Sequence, residues 1–417
     1  MRIGYASQVI GIPDLQFKTC RLAQATDERL TEIISHNLNV LNGIFEYNNR
    51  NDVHMFRISS DIIPFGSHPQ VTFNWRKIFH DQIKSLGEKA RRLDIRLSMH
   101  PGQYTLLNTP QEDVLYRAVE DLKYHCNFLD IMGMDSTCKI VLHVGGVYGD
   151  RKEAVKRFKE NYTDLNRNIR ERLIIENDDV NYTIDEVYEL GRDMNIPVVF
   201  DNLHNQVNPG LKDIDQYEWI KTVYETWKKG DGTPKIHYSQ QDIDKKPGSH
   251  SFSISIKPFL NAVKDMPCDV DVMLEVKDKN LSAKKCILCT KKHTEIRDIE
   301  DEWAKYKYTV MEKNPHIYDK IKDLLKDKKA YPAIEFYELI EDALKNNTQP
   351  GRTINTSEHI WGYFKNKADD KEKKHFRKLL GGLSDDPKTY AALKRFFLRL
   401  SLKYEEKYLL YSYYFLF

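Results

Sequence analysis

Arg96-Leu-Ser-Met-His100, running straight into Pro-Gly, and Lys139-Ile-Val-Leu-His143, running into Val-Gly-Gly, decide the fold. Each is a short apolar run that ends in an imidazole just before a turn. The pattern recurs in Leu173-Ile-Ile-Glu176, Val198-Val-Phe-Asp201, Lys235-Ile-His237 and Val272-Met-Leu-Glu275. A buried strand needs apolar residues, and packing does not require its last residue to be His, Asp or Glu. Repeated and separated by helical segments, such ends describe a barrel with metal-binding groups at the carboxyl ends of its strands.

Working outward, a first strand is expected near residues 2–5 and a second at 55–58, followed by a loop over 59–69. Apolar residues at helical spacing predict helices near 27–47, 74–93, 112–132, 152–171, 184–195, 214–229 and 255–264. Eight strands through Glu275, alternating with helices, make an α/β fold that closes as a (β/α)8 TIM barrel. After Glu275 the chain turns basic and then purely helical. The expected organisation is a barrel over 1–295, a linker or final helix over 296–324, and a smaller all-α domain over 325–417.

Composition narrows the class without naming a partner. The 417 residues are 30% charged and 41% hydrophobic, as in an ordinary soluble protein. Lys+Arg at 64 against Asp+Glu at 62 leaves a formal charge of +2, so a nucleic-acid surface has to come from local segregation of charge. Cysteines at 20, 126, 138, 268, 286 and 289 form no disulfide framework and suit a reducing cytosol. The N-terminus lacks a signal-peptide core, and no apolar stretch reaches membrane-spanning length. Cytoplasmic location is expected, at the nucleoid if the source is prokaryotic. No protein partner is legible.

The strand-end set is His100, His143, Glu176, Asp201, His204, His237 and Glu275, with His250 before the last strand and His68 after the second. Taken singly, each His reads best as a core or capping residue. Taken together, a packing explanation fails because it does not account for their shared position. Carboxylate oxygens and imidazoles in this number exceed one ion and suit two or three. The remaining histidines at 36, 54, 80, 125, 293, 316, 359 and 375 fall outside the pattern and read as surface or packing residues. Two reaction classes suit several ions at a barrel mouth. One is phosphodiester hydrolysis; the other is sugar isomerisation or epimerisation, which uses fewer His ligands.

Gly4-Tyr5, Ser67-His68-Pro69, Met99-His-Pro-Gly-Gln-Tyr104, Leu142-His-Val-Gly-Gly146, Ile175-Glu-Asn-Asp178, Asp201-Asn-Leu-His204, Pro234-Lys-Ile-His-Tyr-Ser239, His250 and Leu274-Glu-Val-Lys-Asp-Lys279 together resemble the UV damage endonuclease family over about residues 1–280. The resemblance implies a barrel related to the endonuclease IV type. It implies nicking of damaged double-stranded DNA immediately 5′ of cyclobutane pyrimidine dimers and 6-4 photoproducts, with abasic sites also accepted. The implied cofactors are two to three divalent ions, usually Mn²⁺, with Zn²⁺, Co²⁺ or Mg²⁺ as alternatives.

By that resemblance His100, His143 and Glu176 hold one ion. Glu176 bridges to a second, held with Asp201, Glu275 and His250, and His204 with His237 holds a third. Lys235 stands where the family carries a modified, carboxylated lysine. His68 is expected to contact the scissile phosphate, Gln103 and Tyr104 to wedge into the duplex, and Tyr5 to lie near the flipped bases. One departure is Val9, where the family usually has Asn. A non-catalytic damage-binding module is the remaining alternative.

The tail over 325–417, with Ser357-Glu-His-Ile-Trp-Gly-Tyr-Phe-Lys365, resembles an uncharacterised bacterial helical domain. Its interleaved Lys, Arg, Tyr and Phe suit stacking on a single strand. The spacing of Trp361, Phe364 and Phe376 fits a helical core better. Cys286, Cys289 and His293 invite a zinc reading, but no second cysteine pair completes it.

Overall fold

A computed structural model of the chain describes residues 1–212, 214–291, 295–384 and 386–417. The eight strands are β1 (Ile3–Ser7), β2 (Met55–Ile58), β3 (Arg96–Met99), β4 (Lys139–His143), β5 (Leu173–Glu176), β6 (Val198–Val199), β7 (Lys235–Tyr238) and β8 (Asp271–Leu274). All their pairings are parallel, in the order β6-β5-β4-β3-β2-β1-β8-β7. The two ends of that order meet just past β6: Asp201 bridges His237, and His237 N donates to Phe200 O at 3.0 Å. This is the TIM barrel expected from the strand–helix alternation, and its closing seam runs through two of the strand-end residues.

The outer helices form where apolar spacing predicts them. Helix Asp27–Arg50 starts at Thr26, whose side chain accepts from Arg29 N, and buries Leu30, Ile33, Ile34, Leu41, Ile44 and Phe45. Two predicted helices are each interrupted. The stretch 74–93 divides into Trp75–Ile78 and His80–Arg92 at Phe79, whose backbone leaves the helical region and whose ring lies 6.4 Å from that of Phe73. The stretch 152–171 divides into Arg151–Thr163 and Arg167–Arg172, where Leu165 turns inward to be buried. The basic stretch after Glu275 is more ordered than its composition suggests. Residues Asn280–Thr290 form a helix with Leu281, Ala283 and Cys286 buried.

The chain divides into two compact units. The first comprises Met1–Ile10, Asp14–Ile254 and Asn261–Ile287; the second comprises Gly11–Pro13, Ser255–Leu260 and Leu288–Phe417. Residues 296–324, read from sequence as a linker or final barrel helix, form the helices Ile296–Lys313 and Pro315–Leu324 of the second unit. That unit has its own aromatic core, with Phe364, Phe376, Phe396 and Phe397 buried together and Trp361 packed against them. Trp361 stacks on Phe376 with ring centroids 4.3 Å apart. These aromatics form a buried core.

Candidate metal centre

Strand alternation selects which side chains enter the barrel. On β2, Met55 and Arg57 face inward with Ala6 and Met273, while Phe56 faces the helices. Tyr5 lies on that outer face. It is wholly buried, its ring is edge-on to Phe56, and its hydroxyl donates to Asn48 Oδ1 at 2.6 Å. The expected contact between Tyr5 and flipped bases is therefore corrected: alternation turns this residue into the helix layer, away from any DNA-facing surface. Val9 is also buried, and its carbonyl accepts from Gln16 Nε2.

At the carboxyl ends of the strands the inward residues converge on Glu176. His100 Nε2 lies 2.7 Å and His143 Nε2 2.8 Å from its Oε1, and His237 Nδ1 lies 2.5 Å from its Oε2. Register produces this: Glu176 pairs with His143 across β4 and β5, and Asp201 with His237 across the seam. Gly145, two residues after His143, takes φ +112, where a Cβ would come 2.3 Å from Asn108 Oδ1. The ligand atoms of His100, His143 and Glu176 lie within 4.8 Å of one another, as do those of Glu176, Asp201 and His237. His237 thus sits with Glu176 and Asp201. The His204 ring is 5.8 Å from that of His143 and 6.4 Å from that of His250. Glu275 Oε1 lies 3.1 Å from His237 Nδ1.

Neighbouring backbone fixes the imidazoles. His100 Nδ1 donates to Pro101 O, which sets Nε2 against Glu176 Oε1, and His204 Nδ1 donates to Asn177 O. Asn177 also brackets Asp201, donating to its carbonyl and accepting from its N–H.

The electrostatics suit a cation. Burial raises the Glu176 carboxyl, but His237, His143 and His100 together hold it well below the usual range. Burial keeps Asp201 raised despite His204. Burial opposes charge on His204, yet Asp201 and Glu176 push it up to about 9. On Glu275, burial is outweighed by Arg57, whose guanidinium is 2.5 Å from Oε1. Lys235 is pulled down to about 7 by burial and by Arg96 and Arg57. Among the described residues, Glu176 Oε2, Asp201 Oδ2, both nitrogens of His237, His143 Nδ1 and Lys235 Nζ are buried without a hydrogen-bond partner. Buried polar atoms are rarely left so. Carboxylates and imidazoles that converge with these atoms unpartnered fit divalent ions held by O and N ligands.

The DNA-facing candidates lie outside this floor. Gln103 and Tyr104 are exposed on the loop after β3, and His68 is half-buried on the loop after β2. His68 and Tyr104 line one cavity of about 530 Å³. A second cavity of about 450 Å³ holds His250 and Glu275 beside Arg57, Lys245, Lys277 and Lys279. Cys286 is buried in its helix, and His293 of the zinc reading lies outside the described residues. Arg57 was missed from sequence, and Asn177 stood in the Ile175–Asp178 motif without a role of its own. The signal for Arg57 was available, since a charge in the middle of Met55-Phe-Arg-Ile58 has to face a polar interior.

With this geometry in view, comparison with known proteins is direct. The family model described as UV-endonuclease UvdE matches residues 1–307, and one described as a protein of unknown function, DUF1722, matches residues 307–417. The UV DNA damage endonuclease of Clostridium perfringens (strain 13 / Type A) is 38% identical over 410 residues, covering 97% of both chains. That of Bacillus cereus (strain G9842) is 32% identical over 293 residues, covering 68% of this chain and 92% of its own. The crystal structure of SacUVDE is 37% identical with a TM-score of 0.65, covering 69% of this chain and 96% of that one.

Proposed function

Since the chain belongs to the UV-endonuclease UvdE family, we propose that it hydrolyses the phosphodiester bond immediately 5′ of UV photoproducts in double-stranded DNA, with abasic sites as further substrates. By homology it is an endonuclease of DNA repair. The observation that carries the finer reading is Glu176, a buried carboxylate within 2.8 Å of three imidazoles whose Oε2 has no hydrogen-bond donor. Such a group binds cations and does little for packing.

In this reading His100, His143 and Glu176 hold one ion, and Glu176 is shared with Asp201 and His237, near Glu275. His204 and His250 stand at the edge of the set. Divalent ions bound there, Mn²⁺ foremost, supply water activation and neutralise charge on the phosphoryl oxygens. Arg57 keeps Glu275 ionised and fixed. Lys235, drawn down to about 7 by burial, gives up its proton far more readily than a free lysine. A neutral Nζ can add CO₂, forming an N–C bond and releasing a proton, which turns a buried amine into an oxygen donor. His68 contacts the scissile phosphate, and Gln103 and Tyr104 fill the stack that displaced bases leave. Among the described residues no helix is long and apolar enough to cross a membrane, and chromosomal DNA in the cytoplasm is the proposed setting.

The test is nicking of an end-labelled duplex carrying one cyclobutane dimer, with Mn²⁺, with EDTA, and with an undamaged control. A metal-dependent nick directly 5′ of the dimer is expected. No cut under any of Mn²⁺, Mg²⁺, Zn²⁺ or Co²⁺, with turnover of free sugars instead, overturns the proposal in favour of an isomerase. Lesion binding that survives chelation without any cut marks a binding module.

A further inference from the structure

The two loops that carry the DNA-facing candidates hang on one carboxylate. Asp121, on helix Glu112–Ile131, is buried. Its Oδ1 accepts from Ser67 Oγ at 2.8 Å and its Oδ2 from Thr105 Oγ1 at 2.7 Å. Ser67 immediately precedes His68, and Thr105 immediately follows Tyr104. The same helix face continues the connection. Tyr124 OH donates to Ser60 O at 2.8 Å, and His125 Nδ1 donates to Asp121 O at 2.7 Å. His125 Nε2 lies 2.8 Å from Ser60 Oγ, which donates to the carbonyl of His100 at 2.9 Å. Positions 121, 124 and 125 share one side of a helix, so a single face ties both loops to the first residue of the metal cluster.

A barrel helix needs only apolar residues on its inner face, and a buried carboxylate is costly unless it is fully paired. Asp121 spends both oxygens on hydroxyls from two different loops. Together with the cavity of about 530 Å³ that His68 and Tyr104 line, this arrangement points to a use.

We propose that Asp121 is a positioning residue for lesion recognition: it fixes the span between His68 and the Gln103-Tyr104 tip, so that insertion of the tip into the duplex brings the phosphate to His68 in register. This rests on the function proposed above. Asp121→Asn can keep both contacts, since Oδ1 still accepts from Ser67 and Nδ2 can donate to Thr105 Oγ1. Asp121→Ala can keep neither.

The experiment uses the full chain with Mn²⁺ and two duplexes carrying one cyclobutane dimer, one fully paired and one with the dimer opposite an unpaired bubble. Asp121→Ala is expected to lose at least about tenfold in kcat/KM on the paired duplex and much less on the bubble, where no stack has to be opened. Asp121→Asn should stay close to the parent chain on both. In EDTA, 2-aminopurine placed opposite the lesion should brighten on binding the parent chain and not on binding Asp121→Ala. Equal losses on both duplexes, or parent-like cutting of the paired one by Asp121→Ala, overturn the proposal. If the parent chain cuts neither duplex, the proposed function fails, and the 2-aminopurine signal still judges Asp121: equal brightening with both proteins refutes its role. Should Asp121→Ala melt early, Ser67→Ala and Thr105→Val each remove one contact and carry the same comparison.

Discussion

Replacing Asp278 by Asn should flatten part of the pH dependence of stability. Asp278 follows β8, and its N–H donates to Phe252 O at 2.8 Å, tying the segment that carries Glu275 to the loop that carries His250. Its carboxyl is buried. Burial pushes it up to about 6, against the partial pull of Lys285 and the hydroxyls of Ser282 and Ser253. An Asp in an unfolded chain titrates near 4, so the ionised form costs the folded state about 3 kcal/mol. Below pH 4 the acid is protonated in both states and the cost is absent. Between pH 4 and 6 the folded protein keeps a proton that the unfolded chain has lost, so stability falls as pH rises. Above about pH 6 the full cost is present. Asn resembles the protonated acid and retains an acceptor for the hydroxyls. The variant should therefore match the parent chain near pH 4 and exceed it by up to about 3 kcal/mol near pH 8. Urea unfolding followed by tryptophan fluorescence at pH 4.5, 6 and 8 measures the difference. EDTA throughout removes linkage to divalent ions. A difference that stays flat across this range, or a variant that loses ground as pH rises, refutes the argument and means that Lys285 keeps Asp278 ionised.

Glu176→Gln removes the charge shared by both ligand groups, and Mn²⁺ affinity followed by electron paramagnetic resonance should fall at least about hundredfold; an unchanged titration would exclude Glu176 as a ligand. Lys279 is half-buried beside Arg57 and Glu275 at the basic cavity, so Lys279→Ala should weaken DNA binding in EDTA for damaged and undamaged duplexes alike and lower the salt slope by about 1. A loss confined to damaged DNA would contradict a phosphate contact. Phe364 is fully buried in the second unit, and Phe364→Ala should destabilise that unit by about 3–5 kcal/mol, read as an early unfolding step in calorimetry.

The barrel could be read from sequence because parallel buried strands leave short apolar runs, and because chemistry at their carboxyl ends interrupts those runs at a fixed place. His143 and Glu176 announced themselves this way, and their register partnership follows from the strands being adjacent. The seam was harder to read. β6 is two residues long, and closure depends on the backbone of Phe200, Asp201 and His237, a contact between segments far apart in sequence. The helix Asn280–Thr290 was obscured by its lysines: Lys284 and Lys285 are buried, and composition alone counts lysine as solvated.

Tyr5 and Arg57 mark the limit of motif reading, and they fail in opposite directions. Tyr5 sits in a family motif at the centre of β1, and likeness alone assigned it to DNA. Counting pleats removes it, because one step along β1 exchanges the barrel interior for the helix layer. Arg57 sits in no quoted motif, and the same count places it inside, where it holds Glu275. A residue reaches the floor of this barrel by satisfying two conditions at once, proximity to the carboxyl end and the inward phase of the pleat. Asp121 meets neither, being on a helix, and could be found only from the two hydroxyls that meet on its carboxylate. The ligands follow a strand rule and are legible one by one. The residues that set the spacing between loops follow from tertiary contacts, so mutations that retune lesion choice without touching the metal ligands are expected on the helix faces beneath the loops.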